Sequence, residues 1–199
     1  MPFIGNKPSA VPLTSADITD GIITSAKIAN GTITSADLAS GVGGKVLQVV
    51  STTKTDTFSS TSATFTDITG LSVSITPLSS SSKILVFVNI IGGSNTAGIL
   101  CMFRLLRDST EIGVGNTVSG YTSASVGGLR SPADNNASWT ASWNYLDSPS
   151  TTSSTTYKVQ GLNENSAYTF RINSTGSDTA SGSYSYRGAS TITVIEIAG

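Results

Sequence analysis

The amino-acid sequence predicts an all-β protein, an antiparallel β-sandwich, on two observations. Apolar and polar residues alternate with period two, and the alternating runs are short and separated by clusters of Ser, Asn, Asp and Gly. In LSVSITP, for example, Leu71, Val73 and Ile75 share one side and hydroxyl side chains occupy the other. A length of 199 residues is enough for one such domain with an appendage.

The predicted strands, in chain order, are KVLQVVST, SATFTDI, LSVSITP, KILVFVNII, GILCMFRLL, SWTASWNYLD, TTYKVQGL, AYTFRIN and STITVIEIA. In SWTASWNYLD the alternation places both tryptophans, Trp139 and Trp143, on the same side as Ala141 and Tyr145. Because large aromatic residues on one strand face usually fill a core, we expect them to pack in the core rather than bind a ligand.

Two of these strands, KILVFVNII and GILCMFRLL, are apolar on both sides. A sandwich strand normally has one side in the core and the other in water, so the second side needs a cover. We expect a neighbouring subunit to provide it, and a loop of the same chain is the alternative. The predicted subunit-interface residues are Leu85, Phe87, Leu100 and Met102.

Three consecutive ten-residue repeats precede this domain: LTSADITDGI, ITSAKIANGT and ITSADLASGV, from Leu13 to Val42. Each unit predicts a short helical turn capped by Thr and Ser hydroxyls, followed by a reversal at Asp20-Gly21, Asn30-Gly31 or Ser40-Gly41. A unit this short buries too little apolar surface to be ordered alone. We therefore expect several chains to wind together, or the segment to order only on a partner.

The sequence divides into three predicted regions. Residues 1–12 contain Pro2, Pro8 and Pro12, which favour an extended tether. Phe3 and Ile4 are its candidate anchor, with a frayed terminus as the alternative. Residues 13–44 form a repeat stalk that ends in a glycine hinge, and residues 45–199 form the β-sandwich head.

The composition excludes several functional classes. A formal net charge of −1, with 12% charged residues, lacks the basic footprint of a nucleic-acid-binding protein and favours burial of surface in an oligomer. The sequence contains no histidine and one cysteine, which excludes histidine-based triads and zinc sites, and it has no phosphate-binding glycine motif. We expect no metal and no cofactor. With neither a secretory signal nor a membrane-spanning apolar run, the sequence predicts synthesis in a cytoplasm and no membrane insertion.

Carboxylates are the remaining candidates for catalysis. A glycosidase needs two of them, and Asp108 with Glu111, or Asp134 with Asp147, are the available pairs. Their positions near turns favour solvated acids, so we expect no enzymatic activity. Glu196 lies in an apolar strand, where we expect an interface ion pair with Arg104, Arg107 or Arg187.

Tyrosines in Gly/Ser-rich surroundings indicate recognition loops at an end of the sandwich. Tyr121 lies in SGYTSASVGG, and Tyr184 and Tyr186 lie in SGSYSYRG. For the latter two, ordinary half-buried strand positions are the alternative. The candidate receptor-binding residues are Tyr121, Asn135, Asn136, Tyr184 and Tyr186.

The sequence resembles short tail-fibre or virion-fibre proteins of marine tailed phages and related prophages. The resemblance rests on MPFIG, on the TSADI and TSAKI decapeptides, and on KVLQVV, FTDITGLSVSITP, SSKILVFV, FRLLRDST, YLDSPSTTSSTTYKV and ITVIEIA. It implies a trimeric jelly-roll head similar to those of tumour necrosis factor and of complement.

The function that this resemblance implies is that of a homotrimeric fibre in a virion. The N-terminal tether would attach to other virion proteins, and the head would adsorb to a glycan or envelope protein of the host surface. A capsid decoration or tail-adaptor protein with a purely structural role is the alternative, and a fibre-borne glycan hydrolase is a third class.

Overall fold

The computed structural model describes residues 20–21, 23–34, 37–38, 45–130, 137–180 and 186–199. The chain divides into two units, Met1–Gly44 and Lys45–Gly199. The second unit is built of two antiparallel sheets, which confirms the predicted all-β sandwich.

The strands follow the predicted segments closely. They are β1 (Val46–Lys54), β2 (Phe58–Ser60), β3 (Thr66–Ile75), β4 (Lys83–Ser94), β5 (Leu100–Arg107), β6 (Thr110–Ile112), β7 (Val126–Arg130), β8 (Trp139–Asp147), β9 (Thr155–Asn163), β10 (Phe170–Ile172) and β11 (Ser190–Ile197). SATFTDI and LSVSITP merge into the single strand β3, with a register shift between Asp67 and Ser72. The short strands β2, β6 and β7 are not among the predicted segments.

The two sheets have a jelly-roll topology. In sheet A the strands lie in the order β1, β11, β4, β10, β2, with β8 beside β4; in sheet B the order is β3, β9, β5, β6, with β7 beside β5. Apart from the three-residue strands β2, β6 and β10, the chain changes sheet at every connection except that from β5 to β7. This alternation wraps two Greek keys into one sandwich.

The core lies between the sheets and is continuous. Phe103 of β5 lies at its centre, with ring centroids 5.3 Å from Trp139 and 6.1 Å from Phe170. Trp139 and Ala141 are buried, and Trp143 and Tyr145 pack against the same core, which confirms their predicted packing role. Cys101 is also fully buried, and this burial raises the pKa of its thiol to about 12. The thiol therefore packs as a small apolar group.

In the repeat segment, the described residues form a short turn and a reversal. Ser25–Lys27 is a single turn of 3-10 helix. It is closed by a hydrogen bond of 2.9 Å from the N–H of Lys27 to the backbone carbonyl of Thr24. The side chain of Thr24 makes no capping hydrogen bond, which differs from the predicted hydroxyl cap. Gly21 and Gly31 have φ of 77° and 81°, which confirms two of the predicted reversal positions. The third, at Ser40-Gly41, lies outside the described residues.

Candidate functional site

A groove beside Tyr121 is built by the long connection between β6 and β7. Residues 113–125 lie along the edge of β5 that also pairs with β6 and β7. The backbone N–H of Ser125 donates to the carbonyl of Phe103 at 2.9 Å, and its hydroxyl accepts from the N–H of Leu105 at 3.0 Å. Within the loop, Tyr121 N–H donates to the carbonyl of Val118 at 3.0 Å. These bonds fix the loop to sheet B and leave a groove of about 460 Å³.

The lining of this groove combines an aromatic ring with uncharged polar groups. Its described residues are Met102, Gly115, Asn116, Val118, Tyr121, Thr122, Ser123, Ala124 and Gly127. The Tyr121 side chain is 78% exposed, so its ring is available to a ligand. None of these residues carries a charge. An exposed ring beside hydroxyl and amide groups suits an uncharged sugar, whose C–H face stacks on the ring while its hydroxyls form hydrogen bonds.

The groove joins residues to which the sequence assigned separate roles. Tyr121 was a receptor candidate and Met102 an interface candidate, yet both line the same cavity. The side chain of Met102 lies 3.7 Å from where a Cβ on Gly127 would stand, so it lies beside β7. Sequence reasoning missed Asn116 and Val118. The glycines of GVGNTVSGY were a signal for a folded loop there.

A second, smaller pocket of about 220 Å³ lies beside Tyr186 and Asp178. Asp178 is already paired: it accepts from the hydroxyl of Ser174 at 2.8 Å and from Arg187, and Arg171 stands 3.6 Å away. The hydrogen bond from Ser174, followed by that from Arg187, lowers the pKa of Asp178. Because these charges are satisfied internally, the cluster holds the loop after β10 in place.

Tyr186 is 43% exposed and its hydroxyl donates to Ser138. Its ring therefore has less free surface than that of Tyr121. Asn135, Asn136 and Tyr184, together with the anchor candidates Phe3 and Ile4, lie outside the described residues.

The four predicted interface residues lie on opposite sides of the sandwich. Leu85 and Phe87 lie on the outward side of β4 in sheet A, where Phe87 is 41% exposed. Leu100 and Met102 lie on the outward side of β5 in sheet B. The four residues therefore do not form one contiguous surface.

The predicted arginine partner of Glu196 is wrong. Arg104 pairs with Glu111, Arg107 with Asp147 and Arg187 with Asp178. Glu196 is fully buried and instead accepts from the side-chain amide of Gln48 at 2.5 Å and from the N–H of Leu78 at 2.7 Å. Burial alone would raise the pKa of Glu196, but donors from Ser82, Gln48 and the backbone outweigh it, and the pKa is lowered.

The other candidate catalytic acids have structural partners. Asp147, which the sequence predicts to be a solvated turn acid, is 4% exposed. It accepts two hydrogen bonds from Arg107, both at 2.9 Å, and one from the hydroxyl of Tyr157 at 2.7 Å. Asp108 lies in a turn with φ of 52° and accepts from the N–H of Thr156 at 2.9 Å. Asp134 lies outside the described residues.

Among the described residues, no three or more His, Cys, Asp or Glu side chains are grouped so as to bind a metal ion. The part of the chain that the structure describes also has no helix long and apolar enough to span a membrane.

No protein-family model matches this sequence, and no curated protein sequence matches it. Among solved structures, the Gx strain of infectious bursal disease virus has a chain that is 14% identical, with a TM-score of 0.41, over 76% of this chain and 42% of that one. The T13 viral particle of the same virus gives 15% identity, a TM-score of 0.38 and coverages of 76% and 36%. The Gt strain gives 11% identity and a TM-score of 0.34, over 76% of this chain and 36% of that one.

This chain thus spans well under half the length of those viral chains. At such identities and TM-scores, the matches carry no conclusion about what this chain binds or where it acts.

Proposed function

We propose that this protein is a structural component of a tailed-phage virion, a homotrimeric fibre on the tail or capsid surface. Its N-terminal segment attaches to other virion proteins, and its β-sandwich head adsorbs the particle to a glycan of the host surface. The observation that carries the adsorption step is the Tyr121 groove, an open and uncharged cavity with a largely exposed aromatic ring. The ten-residue repeats and the resemblance to phage fibre proteins support the virion role.

The chemistry of the groove selects the class of receptor. Because no charged side chain lines it, the groove offers no partner for a carboxylate, sulfate or ammonium group. A neutral sugar needs only ring stacking and hydrogen bonds, which Tyr121, Asn116 and Thr122 provide. One such contact is weak, and three copies in one fibre raise the avidity of the particle without any new contact.

The test is saturable binding of the labelled full-length protein to intact candidate host cells. We expect Tyr121→Ala to weaken cell binding at least tenfold, since the stacking surface is lost in every copy. Leu78→Ala is the matched control, because Leu78 is a 69% exposed apolar residue outside the groove, and it should bind like the unmodified protein. Equal binding by the Tyr121 variant would contradict the proposal. We expect binding without release of reducing sugar from host envelope material.

A capsid decoration or tail-adaptor role is the second candidate, favoured by the repeat segment. Ile23 and Ile33 are 55% and 52% exposed, and Ile28 is 37% exposed, so the described part of the repeats presents apolar surface. Such surface favours a protein partner. Two results together would favour the purely structural role. The protein would bind particles that lack it but not host cells, and replacing Phe3 and Ile4 with Ser would abolish that binding.

A further inference from the structure

An apolar row crosses the outward face of sheet A at a single register. Val49 of β1 pairs with Ile195 of β11, Ile195 pairs with Leu85 of β4, and Leu85 pairs with Leu146 of β8. We call these four residues the apolar row. Val49 is 58% and Leu146 52% exposed, and Phe87 follows two residues beyond Leu85 on the same side. Four neighbouring strands thus present apolar side chains in a line.

The remainder of this face is polar but almost uncharged. The next register level contains Ser51, Thr193, Phe87 and Asn144, and the two hydroxyls of this level lie 2.7 Å apart. Among the described outward residues of β1, β11, β4 and β8, the one charged side chain is Lys83. It lies at the edge of the face and donates to the hydroxyl of Ser148 at 2.8 Å. Neighbouring copies that contact one another through this face therefore do so without opposing like charges.

The face is also large enough to hold two copies together. Four strands about 4.8 Å apart give a width of about 19 Å, and the outward residues from Lys83 to Ile91 extend about 27 Å at about 3.4 Å per residue. The projected area is about 500 Å², and side-chain relief makes the accessible area larger. A standard-size interface buries about 800 Å² on each partner. This face alone supplies most of that area.

We propose that the outward face of sheet A, centred on the apolar row, is the surface through which copies of this chain associate. The inference rests on the self-association part of the proposed function and names its surface. In the proposed trimer each copy presents this face toward the three-fold axis, so that the apolar row of each copy lies against those of its two neighbours. Leu85 and Phe87 belong to this surface, whereas Leu100 and Met102, in the opposite sheet, do not.

The test is the mass in solution of the full-length protein and of two lysine variants, measured by light scattering after size exclusion at about 50 µM. Leu146→Lys places a charge at one end of the apolar row. Its side chain is half exposed and β8 lies at the border of sheet A, where lysine is well tolerated, so the monomer should still fold. Val118→Lys is the matched control, since Val118 is 46% exposed and lines the Tyr121 groove.

We expect the unmodified protein and Val118→Lys to be oligomers and Leu146→Lys to shift to the mass of a monomer, with an unchanged circular dichroism spectrum. Phe87→Glu should do the same and guards against a folding defect peculiar to one substitution. An oligomer that neither variant dissociates overturns this choice of face and leaves the proposed trimer intact. A monomeric unmodified protein overturns both. We expect the Leu146→Lys monomer to bind cells more weakly than the oligomer, and to lose that binding when Tyr121→Ala is added. This result would separate the contribution of assembly from that of adsorption.

Discussion

The two outward faces of the sandwich differ in chemistry. On sheet B, Asp67, Gln160 and Arg104 lie in register across β3, β9 and β5. Gln160 donates to Asp67 at 2.6 Å, and Arg104 donates to Gln160 at 2.8 Å. Lys158 also binds Asp67 at 2.8 Å, and this hydrogen bond lowers the pKa of the Asp67 carboxyl. On sheet A, the equivalent transverse line is the apolar row.

This difference indicates which side of the molecule faces water. On sheet B the outward side chains of Asp67, Gln160 and Arg104 are linked to one another, and Arg104 also covers the ring of Phe65 at 4.1 Å from its centroid. The same period-two alternation places aliphatic residues at one register level of the outward face of sheet A. A solvated sheet face is normally polar, so an aliphatic line on one face only marks that face for contact with another molecule.

The largest effect is expected on the inward side of β8, next to Leu146. Asp147→Ala should lower the free energy of unfolding by about 3 kcal/mol, because it leaves Arg107 and the hydroxyl of Tyr157 without their shared acceptor. Urea denaturation measures this loss. Leu146→Lys, on the outward side of the same strand, should change monomer stability by less than about 0.5 kcal/mol. A loss for Asp147→Ala no larger than that for Leu146→Lys would remove the distinction between the two sides.

The second prediction concerns the other end of the outward face of sheet A, which the chain covers itself. A Cβ on Gly93 would stand 2.7 Å from the backbone nitrogen of Gly176, in the loop after β10. Gly93→Ala should therefore cost about 1–3 kcal/mol, since the loop has to shift. Gly115→Ala, where the nearest atom would be 4.0 Å away, serves as control. Equal thermal midpoints for the two variants would mean that the loop does not press on β4.

Acid should weaken the end of the sandwich that lies behind the apolar row. The folded pKa of Glu196 lies below its ordinary value of 4.5, so its stabilisation is complete at neutral pH. It is lost progressively as the pH falls below about 4.5 and through the lower folded pKa. Glu196→Gln should cost about 1–3 kcal/mol at pH 7 and flatten the profile between pH 5 and about pH 3. The measurement is the denaturant midpoint of both proteins across that pH range. If the midpoints of the variant and of the unmodified protein fell equally with pH, Glu196 would not be the group responsible.

The smallest effect belongs to the charged face of sheet B. Asp67 is half exposed, so Asp67→Ala should cost less than about 1 kcal/mol despite its bonds to Lys158 and Gln160. High salt should reduce that cost further. The oligomeric mass should not change, since this face lies opposite the apolar row. If the Asp67→Ala variant had a different oligomeric mass, the contact between copies would involve sheet B and the assignment to sheet A would be wrong.

Several features of the fold were readable because they depend on local patterning. The period-two runs predicted the main strands of both sheets, and the unbroken aromatic side of SWTASWNYLD predicted the core position of Trp139. Gly21 and Gly31 marked chain reversals, since a positive φ is inexpensive only for glycine. These signals need no knowledge of what packs against them.

Other features depend on partners far along the chain. The acceptor role of Glu196 toward Gln48 joins residues 148 positions apart, and the Asp147 contact with Arg107 spans 40 positions. No spacing in the sequence reveals either. The Tyr121 groove likewise forms where residues 113–125 lie beside β5, so that a predicted interface residue, Met102, lines its wall.

The sequence by itself determined the all-β class, the main strands, the core side of β8 and the reversals at Gly21 and Gly31. Each follows from the period of the side chains or from the φ range of glycine. Only the tertiary structure decided which apolar second sides receive a cover. It placed the loop between β6 and β7 beside Met102, where both line one groove, and left the apolar row of sheet A exposed. The physical reason is that a cover is a non-local contact, fixed by the order of strands across the sheets and by the path of the connecting loops.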